Sequence, residues 1–235
     1  MFALAPEAAA QVVYQIAQGY AVDFNLQEVR DIDEQALREG RLNSRFYAEL
    51  WVPAMNDFIQ QVKMGGGDPD ELALEDMAAY VVEQMQPGRL YLIGPGSTPA
   101  VVMAQLGLAN TLLGVDAVVD QRLLAADLNA EQLLALVQKY DEPVALVTPT
   151  GGQGFLLGRG NQQLSAAVLA EMDKDDLWVM ATPAKLGKLQ GRPLMVDLND
   201  ALQEKRFSGY HTVITGYQRQ LLYPIMAPRF CQPSE

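Results

Sequence analysis

Apolar residues in the first 60 positions change from helical spacing to strand spacing. Between Pro6 and Gly19 they recur at helical spacing and stop at a glycine, which predicts a helix. From Tyr20 to Ile32, and again from Arg45 to Val52, apolar and polar residues alternate as they do in a half-exposed strand. A polar segment joins the two stretches, so we predict a long antiparallel hairpin.

The chain beyond the hairpin contains one further helical stretch and then many short apolar runs. Residues 61–69 include three consecutive glycines, and Asp70–Met85 follows as a helix whose early acidic residues suit the helix dipole. Farther along, short apolar runs predict strands, at RLYLIG, TLLGVDAVV, PVALVT, LWVMAT, RPLMVD and HTVITGY. Helices are predicted between these runs, near Thr98–Leu106, Asn129–Tyr140 and Ser165–Met172.

Strands that alternate with helices are typical of α/β proteins, and the hairpin adds antiparallel pairing. We therefore predict a mixed α/β (α+β) fold, with a mixed sheet, a long N-terminal β-hairpin and flanking helices. No linker is evident after Pro87, so we predict a single domain over residues 1–235. Within it, residues 1–60 hold the helix and hairpin, 61–88 a loop and helix, and 89–235 a glycine-motif α/β region.

Composition excludes several classes of protein. The 235 residues are 49% hydrophobic, which is enough for a folded core, and the net charge of −12 leaves no basic stripe for a nucleic acid. One cysteine and one histidine exclude a disulfide framework and a Cys/His zinc site, and a Ser–His triad would have to use His211. No apolar run reaches the roughly 18 residues that a membrane helix needs. The first ten residues lack the basic region of a secretory signal, so we expect a cytoplasmic protein without a membrane partner.

The first glycine motif lies where a predicted strand runs into a predicted helix. Gly94 and Gly96 permit close approach of a ligand to the backbone, and Ser97 and Thr98 can cap the helix and offer hydroxyls. The N–H groups at a helix start form an anion site that suits phosphate. An ordinary capped strand–helix turn would have the same sequence, so both interpretations remain open at this point.

The second glycine motif, Val147–Ser165, is richer in polar donors. Ordering glycines on folding costs more conformational entropy than ordering other residues, so a run of them suggests that the backbone must approach another group closely. The glycines are Gly151, Gly152, Gly154 and Gly158. Arg159 can form a bidentate contact with phosphate or carboxylate. The side-chain amides of Asn161 and Gln162 can form hydrogen bonds with a base or a carboxamide. Two turns joined by a Phe155–Leu157 strand are the alternative. Because donors accompany the glycines, we favour a ligand site.

Other polar residues leave more than one interpretation. Lys185, Lys188 and Arg192 lie close together in an acidic protein and either face an anionic ligand or solvate a loop. Asp116 and Asp120 could form a metal site or act as a base, but turn capping is the favoured role. The single histidine, His211, lies in an alternating strand and is interpreted as a packed or surface residue rather than a base.

Seven segments together resemble the ATP–NAD kinase family, in the branch that includes relatives of the acetoin-catabolism protein X. They span nearly the whole chain, and the Gly–Asn–Gln block of the fourth is specific to this branch. The segments are Asp31–Tyr47, Gly94–Pro99 (GPGSTP), Leu112–Val118, Thr148–Ser165 (TPTGGQGFLLGRGNQQLS), Ala181–Leu186 (ATPAKL), Gly191–Asp197 (GRPLMVD) and Val213–Tyr217 (VITGY).

The resemblance implies a kinase that transfers a phosphoryl group from ATP or polyphosphate to the 2′-hydroxyl of NAD, with a divalent metal such as Mg²⁺. It implies a single nucleotide-binding domain of the NAD-kinase C-terminal type, and a homo-oligomer. The family's N-terminal half carries a GGDGT motif, whose aspartate is the expected general base. This sequence contains no GGDGT. The only near match, Gly65–Pro69, has the sequence GGGDP and lacks the following Gly-Thr. An internal start in the gene would place the motif in frame upstream of Met1, whereas a trimmed chain or a naturally shortened protein would have the same sequence. In each case we expect the chain alone to be inactive.

Chemistry and resemblance together assign dinucleotide-binding roles but no catalytic residue and no metal ligand. The first motif would supply backbone and hydroxyl donors, and the second would let the ligand approach the backbone closely. A lysine would contact a phosphate. The residues are Gly94, Gly96, Ser97, Thr98, Gly151, Gly152, Gly154, Arg159, Asn161, Gln162 and Lys185. The alternative function is a non-catalytic nucleotide-sensing or accessory module, which would bind the ligand without turnover.

Overall fold

The computed structural model describes residues 6–19, 22, 24–32, 44–53, 71–150 and 154–230. These residues belong to two compact units. The first holds the described residues up to position 53 together with 228–230, and the second holds 71–150 and 154–227. The single domain over residues 1–235 therefore stays a prediction.

The first unit contains the predicted helix and hairpin. Helix α1 covers Pro6–Ala17, and strands β1 (Phe24–Ile32) and β2 (Ser44–Pro53) pair antiparallel. Leu26 lies opposite Trp51, and the register shifts at a bulge after Val29. A short 3-10 turn, Pro228–Phe230, also belongs to this unit.

The second unit contains six helices and nine strands within its described residues. The helices are α2 (Glu71–Gln84), α3 (Ser97–Gln105), α4 (Ala130–Val137), α5 (Ala166–Ala170), α6 (Pro183–Gly187) and α7 (Ala201–Phe207). The strands are β3 (Leu90–Ile93), β4 (Asp116–Val119), β5 (Arg122–Ala125), β6 (Val144–Val147), β7 (Phe155–Leu157), β8 (Leu177–Met180), β9 (Leu194–Val196), β10 (Gly209–Gly216) and β11 (Arg219–Met226).

The nine strands form one mixed sheet in the order β5-β4-β3-β6-β8-β10-β11-β9-β7. Its centre is parallel, because β3, β6, β8 and β10 are neighbours that run in the same direction. β4 pairs antiparallel with β3, and β11 pairs antiparallel with β10. The carboxyl ends of the four central strands therefore lie along one edge of the sheet, which is where open α/β sheets usually bind ligands.

The hairpin does not belong to this sheet, which corrects one sequence-based expectation. β1 and β2 form a two-stranded sheet of their own. The antiparallel pairs of the large sheet lie within it: β4 pairs antiparallel with β3, β5 with β4, and β11 with β10. Tight turns precede β5 and β11. Neither strand was predicted, because β5 has only four residues and β11 is largely exposed and contains Pro224.

Both faces of the large sheet are buried, as the central strands show. Leu90 and Leu92 of β3 belong to one apolar cluster, whereas Tyr91 and Ile93 belong to another. Alternate residues of a strand point to opposite faces, so the sheet separates two cores. This burial explains why these strands appear in the sequence as continuous apolar runs. No helix among the described residues is long and apolar enough to cross a membrane.

Candidate functional site

Segments that follow β3, β6 and β8 meet at the carboxyl edge of the sheet. The N–H of Gly94 donates to the carbonyl of Leu146 at 2.8 Å, which ties the turn after β3 to the end of β6. On the other side, β8 pairs with β6 and leads into α6. The three segments thus lie side by side because their strands are parallel neighbours.

Two glycines allow the turn after β3 to pack closely on β6. A Cβ atom on Gly94 would lie 2.9 Å from the carbonyl oxygen of Leu146, and one on Gly96 would lie 3.2 Å from the Thr148 methyl group. Gly96 also has φ +115°, a conformation that L side chains rarely adopt. The glycines are therefore required by the packing of protein on protein, whether or not a ligand also approaches.

The first turn of α3 lacks the side-chain cap that the sequence predicts. Its N-cap residue is Gly96, and no side chain of the described residues caps the first turn. Ser97 is exposed, whereas Thr98 is buried and its hydroxyl accepts a hydrogen bond from Lys185. Uncapped N–H groups at a helix start carry a partial positive charge, so this end of α3 is suited to an anion.

Lys185 joins all three segments. Its Nζ donates to the Thr148 hydroxyl at 2.7 Å and to the Thr98 hydroxyl at 3.4 Å. Its position is set by α6, where the Thr182 hydroxyl accepts from the Lys185 N–H at 3.2 Å and Pro183 occupies the first turn. Proline is favoured there because the first N–H groups of a helix have no partner within it.

The environment of Lys185 leaves its charge poorly compensated. Its hydrogen-bond partners within the described residues are two neutral hydroxyls, and no carboxylate among those residues forms an ion pair with it. Burial, reinforced by the positive charge of Lys188, lowers the pKa of Lys185 to about 8. A partly buried ammonium without a counter-ion attracts an anion, and it keeps a third N–H to donate.

The second glycine motif builds a tight loop after β7. The Asn161 side chain is buried and bound at both ends: its Oδ1 accepts from the Gly158 N–H at 3.0 Å, and its Nδ2 donates to the Leu156 carbonyl at 2.9 Å. A Cβ on Gly158 would lie only 1.7 Å from the Asp197 carbonyl oxygen. Both residues thus have structural tasks that the sequence analysis did not assign to them.

Arg159 is held by protein groups in this structure. Its Nε and Nη2 each lie 3.1 Å from Oδ2 of Asp197, and its guanidinium stacks 4.1 Å from the centre of the Phe155 ring. A ligand would have to share the guanidinium with Asp197. Gln162, by contrast, is exposed and available to solvent.

The two glycine motifs both contact the segment that follows β6. Thr148 contacts Lys185, and Thr150, two residues later, donates its hydroxyl proton to the Arg159 carbonyl at 3.2 Å. The N–H of Gly154 donates to the Thr150 carbonyl at 3.0 Å, and Gly154 has φ +75°. Gly151 and Gly152 lie outside the described residues, so their predicted role stays a prediction.

Two aspartates and the histidine have structural roles. Asp116 is buried and accepts from the N–H groups of Thr111 and Asp127, at 2.6 and 2.9 Å, while Asp120 accepts from the Gly88 N–H at 2.7 Å. His211 is buried against Phe207, and burial, with Lys174 nearby, lowers its pKa to about 4.

No group of three or more His, Cys, Asp or Glu residues in the described part of the chain is placed to hold a metal ion. The oxygen donors around Lys185 are hydroxyls, which do not form a divalent-metal site on their own. The described residues therefore do not fit a protein-held metal at this site.

Sequence reasoning did not assign a binding or positioning role to Thr148, Thr182 or Asp197. Each follows directly on an apolar run: Thr148 after β6, Thr182 shortly after β8, and Asp197 after β9. For Thr148 and Thr182, the signal that could have found them is a polar residue at the carboxyl end of a predicted parallel strand. Asp197 follows β9, which runs opposite to the central strands, so this signal does not cover it.

Comparison with known proteins gives one match. The family model described as ATP-NAD kinase C-terminal domain matches residues 88–225, which is more than half of the chain. The match includes β3, α3, α6 and the segments that meet at Lys185. Searches of the curated proteins and of the solved structures found no match.

Proposed function

The chain belongs to the ATP-NAD kinase family through its C-terminal domain, and from this premise we propose that it binds a dinucleotide for phosphoryl transfer. The reaction is transfer from ATP or polyphosphate to the 2′-hydroxyl of NAD, which gives NADP. The observation that carries the proposal is the uncompensated Lys185 ammonium, which lies between the Thr98 and Thr148 hydroxyls at the carboxyl edge of the sheet.

Lys185 and the start of α3 would bind a phosphate group of the dinucleotide. The phosphate oxygens would accept from the free N–H of Lys185 and from the uncapped backbone of Ser97 and Thr98. Gln162 would contact a polar group of the ligand, and Arg159 would do so while shared with Asp197. Gly151, Gly152 and Gly154 would let the ligand approach the backbone. Asn161 would act indirectly, by holding the loop.

Phosphoryl transfer depends on positioning and on neutralising phosphate charge. Lys185 supplies such charge, but we assign none of the described residues the role of the base that removes a proton from a hydroxyl acceptor, and the sequence contains no GGDGT motif. We therefore assign binding and orientation to these residues, and expect turnover to require a GGDGT-bearing segment. No step is derived through a metal held by the described residues.

A second candidate function is a nucleotide-binding module without catalysis, of the kind the acetoin-catabolism branch suggests. The observation that favours it is the structural use of Asn161 and Arg159, which bind other groups of the protein and so contribute less to a reacting ligand. Both candidates bind a dinucleotide, and only turnover separates them. A homo-oligomer in the cytoplasm belongs to the same proposal and rests on family resemblance.

Calorimetric titration with NAD, ATP and NADP tests the proposed site. We expect Lys185→Met to weaken binding about tenfold or more, because a charge-assisted hydrogen bond contributes about 1.5–3 kcal/mol. Lys139→Met removes the same charge from an exposed position after α4 and should bind as the wild type does. Affinity in the wild type should fall as the pH rises through about 8, where Lys185 loses its proton, and this dependence should vanish in Lys185→Met.

An NADP-formation assay on the same samples separates the two functions. Binding without turnover supports the module, whereas turnover by this chain supports the kinase and contradicts the expected inactivity. If none of the three ligands produces heat with folded wild-type protein, or if Lys139→Met weakens binding as much as Lys185→Met, the proposed site is wrong.

A further inference from the structure

A second concave site lies on the side of α6 that the Lys185 ammonium does not use. It is a cavity of about 710 Å³ between α6 and the hairpin that β10 and β11 form. Pro183 and Leu186 of α6 line one side, and Leu221 of β11 lines the other. A cavity of this size is within the range of small-molecule sites, which is about 300–1,000 Å³.

The wall of the cavity is held in place from outside. Near the turn between β10 and β11, the Tyr217 hydroxyl donates to Glu83 at 2.8 Å, and the Gln220 side chain donates to the Tyr80 hydroxyl at 3.2 Å. The Tyr80 and Tyr217 rings also pack edge to face, with centres 6.0 Å apart. Helix α2 thus anchors the hairpin, and the cavity does not depend on a loop that moves freely.

The cavity has an apolar surface and a single charge. Among the described residues that line it, Arg219 is the one ionisable group that is charged at neutral pH. The aliphatic part of Arg219 lies 3.5–3.8 Å from the position of a Cβ on Gly216, so the side chain extends beside the turn. None of the described residues that line the cavity is acidic, so no carboxylate of the lining competes for Arg219.

A second arginine strengthens the positive field at the far side. Tyr223 lines the cavity and donates its hydroxyl proton to the Arg192 carbonyl at 2.9 Å. Burial raises the pKa of Tyr223, and the nearby positive charge of Arg192 opposes that effect. The Arg192 Nη2 is buried and has no hydrogen-bond partner among the described residues. Positive charge therefore flanks an apolar floor, which is the complement of an amphipathic anion.

We propose that this cavity binds a small amphipathic organic anion, whose oxyanion pairs with Arg219 and whose apolar body lies against Leu186 and Leu221. The oxyanion is a carboxylate, sulfonate or phosphate ester, and the body is an aromatic ring or a short aliphatic chain. The site shares α6 with Lys185 but uses different side chains. The proposal therefore does not depend on the dinucleotide function, and either can fail without the other.

Two fluorescent dyes of similar shape test the charge and the cavity separately. The anionic dye is 8-anilinonaphthalene-1-sulfonate, and the neutral one is N-phenyl-1-naphthylamine. Arg219→Gln should raise the dissociation constant of the sulfonate dye at least fivefold and leave that of the neutral dye within twofold. Arg219→Lys should restore most of the sulfonate binding. Arg122→Gln makes the same charge change at an exposed position on β5 and should alter neither dye.

Filling the cavity should affect both dyes. Gly187 lines it, and a Cβ there would meet no atom within 4 Å, so Gly187→Leu adds bulk without a clash at Cβ. We expect this variant to lose both dyes from the site while its melting temperature stays near the wild-type value. The proposal is overturned if Gly187→Leu binds both dyes as the wild type does. It is also overturned if Arg219→Gln matches Arg122→Gln, or weakens the neutral dye as much as the sulfonate.

Discussion

Gly158 and Gly160 show how the same residue type serves different purposes two positions apart. Both have positive φ, at +89° and +84°. A Cβ on Gly158 would collide with the Asp197 carbonyl, whereas one on Gly160 would meet only the Thr150 hydroxyl at 3.6 Å. Gly158 is thus needed for close packing as well as for its backbone conformation, and Gly160 for its conformation alone.

We predict that Gly158→Ala lowers the free energy of unfolding by about 3 kcal/mol or more, because backbone strain and a clash with backbone add together. Gly160→Ala should lower it by about 1 kcal/mol, which is the strain alone. Urea denaturation measures both values. Equal losses in the two variants would show that the contact with Asp197 relaxes at little cost.

Helix α6, although only five residues long, positions Lys185 in the candidate site. Its N-cap, Thr182, accepts from the Lys185 N–H and so orients the lysine towards Thr98 and Thr148. Helix α5 has the same length and a similar cap, in which the Ser165 hydroxyl accepts from the Val168 N–H. The cap of α5 contacts no residue of the candidate site, so α5 is a suitable control for α6.

Thr182→Ala and Ser165→Ala should each destabilise the protein by about 1 kcal/mol, the usual contribution of an N-cap side chain. Thr182→Ala alone should also weaken nucleotide binding severalfold, because α6 then holds Lys185 less precisely. Thermal unfolding and calorimetric titration with NAD provide the two readouts. A loss of affinity in Ser165→Ala of the same size would mean that the effect reflects global stability instead of the position of Lys185.

The stability of the whole molecule is linked to pH through its single histidine. His211 lies on β10, stacked on Phe207, and burial and Lys174 lower its pKa to about 4, while the Phe207 carbonyl and Asp175 raise it slightly. In the unfolded chain the pKa is about 6.5. Between pH 6.5 and pH 4, His211 is protonated in the unfolded chain but neutral in the folded one, so lowering the pH favours unfolding.

We predict that the free energy of unfolding falls as the pH is lowered from about 6.5 to about 4, with His211 contributing on the order of 3 kcal/mol. His211→Gln keeps a hydrogen-bond donor and does not titrate, so its stability should change less over this range. Denaturation curves at several pH values give the comparison. Parallel pH profiles for the two proteins would exclude His211 as the source.

Much of the fold could be predicted from the sequence, because local rules govern it. The alternation of apolar and polar residues predicted β1 and β2, which pair as expected, although Leu26 and Trp51 are exposed. The central strands are apolar throughout because both of their faces are buried. β5 and β11 were missed because their patterns are weak, and the hairpin was wrongly expected to join the large sheet. Sheet membership depends on pairing between distant segments, which periodicity does not encode.

Most helices and strands, the glycine motifs and the resemblance to the ATP–NAD kinase family could be predicted from the sequence, since each depends on neighbouring residues or on whole motifs. The folded structure shows which polar groups bind other groups of the protein. It pairs Arg159 with Asp197, encloses Asn161 in its loop, and leaves Lys185 between two hydroxyls. Sequence patterns do not encode this, because the residues that pair with a charge or an amide are far apart in the chain. The order of strands in the sheet brings them together.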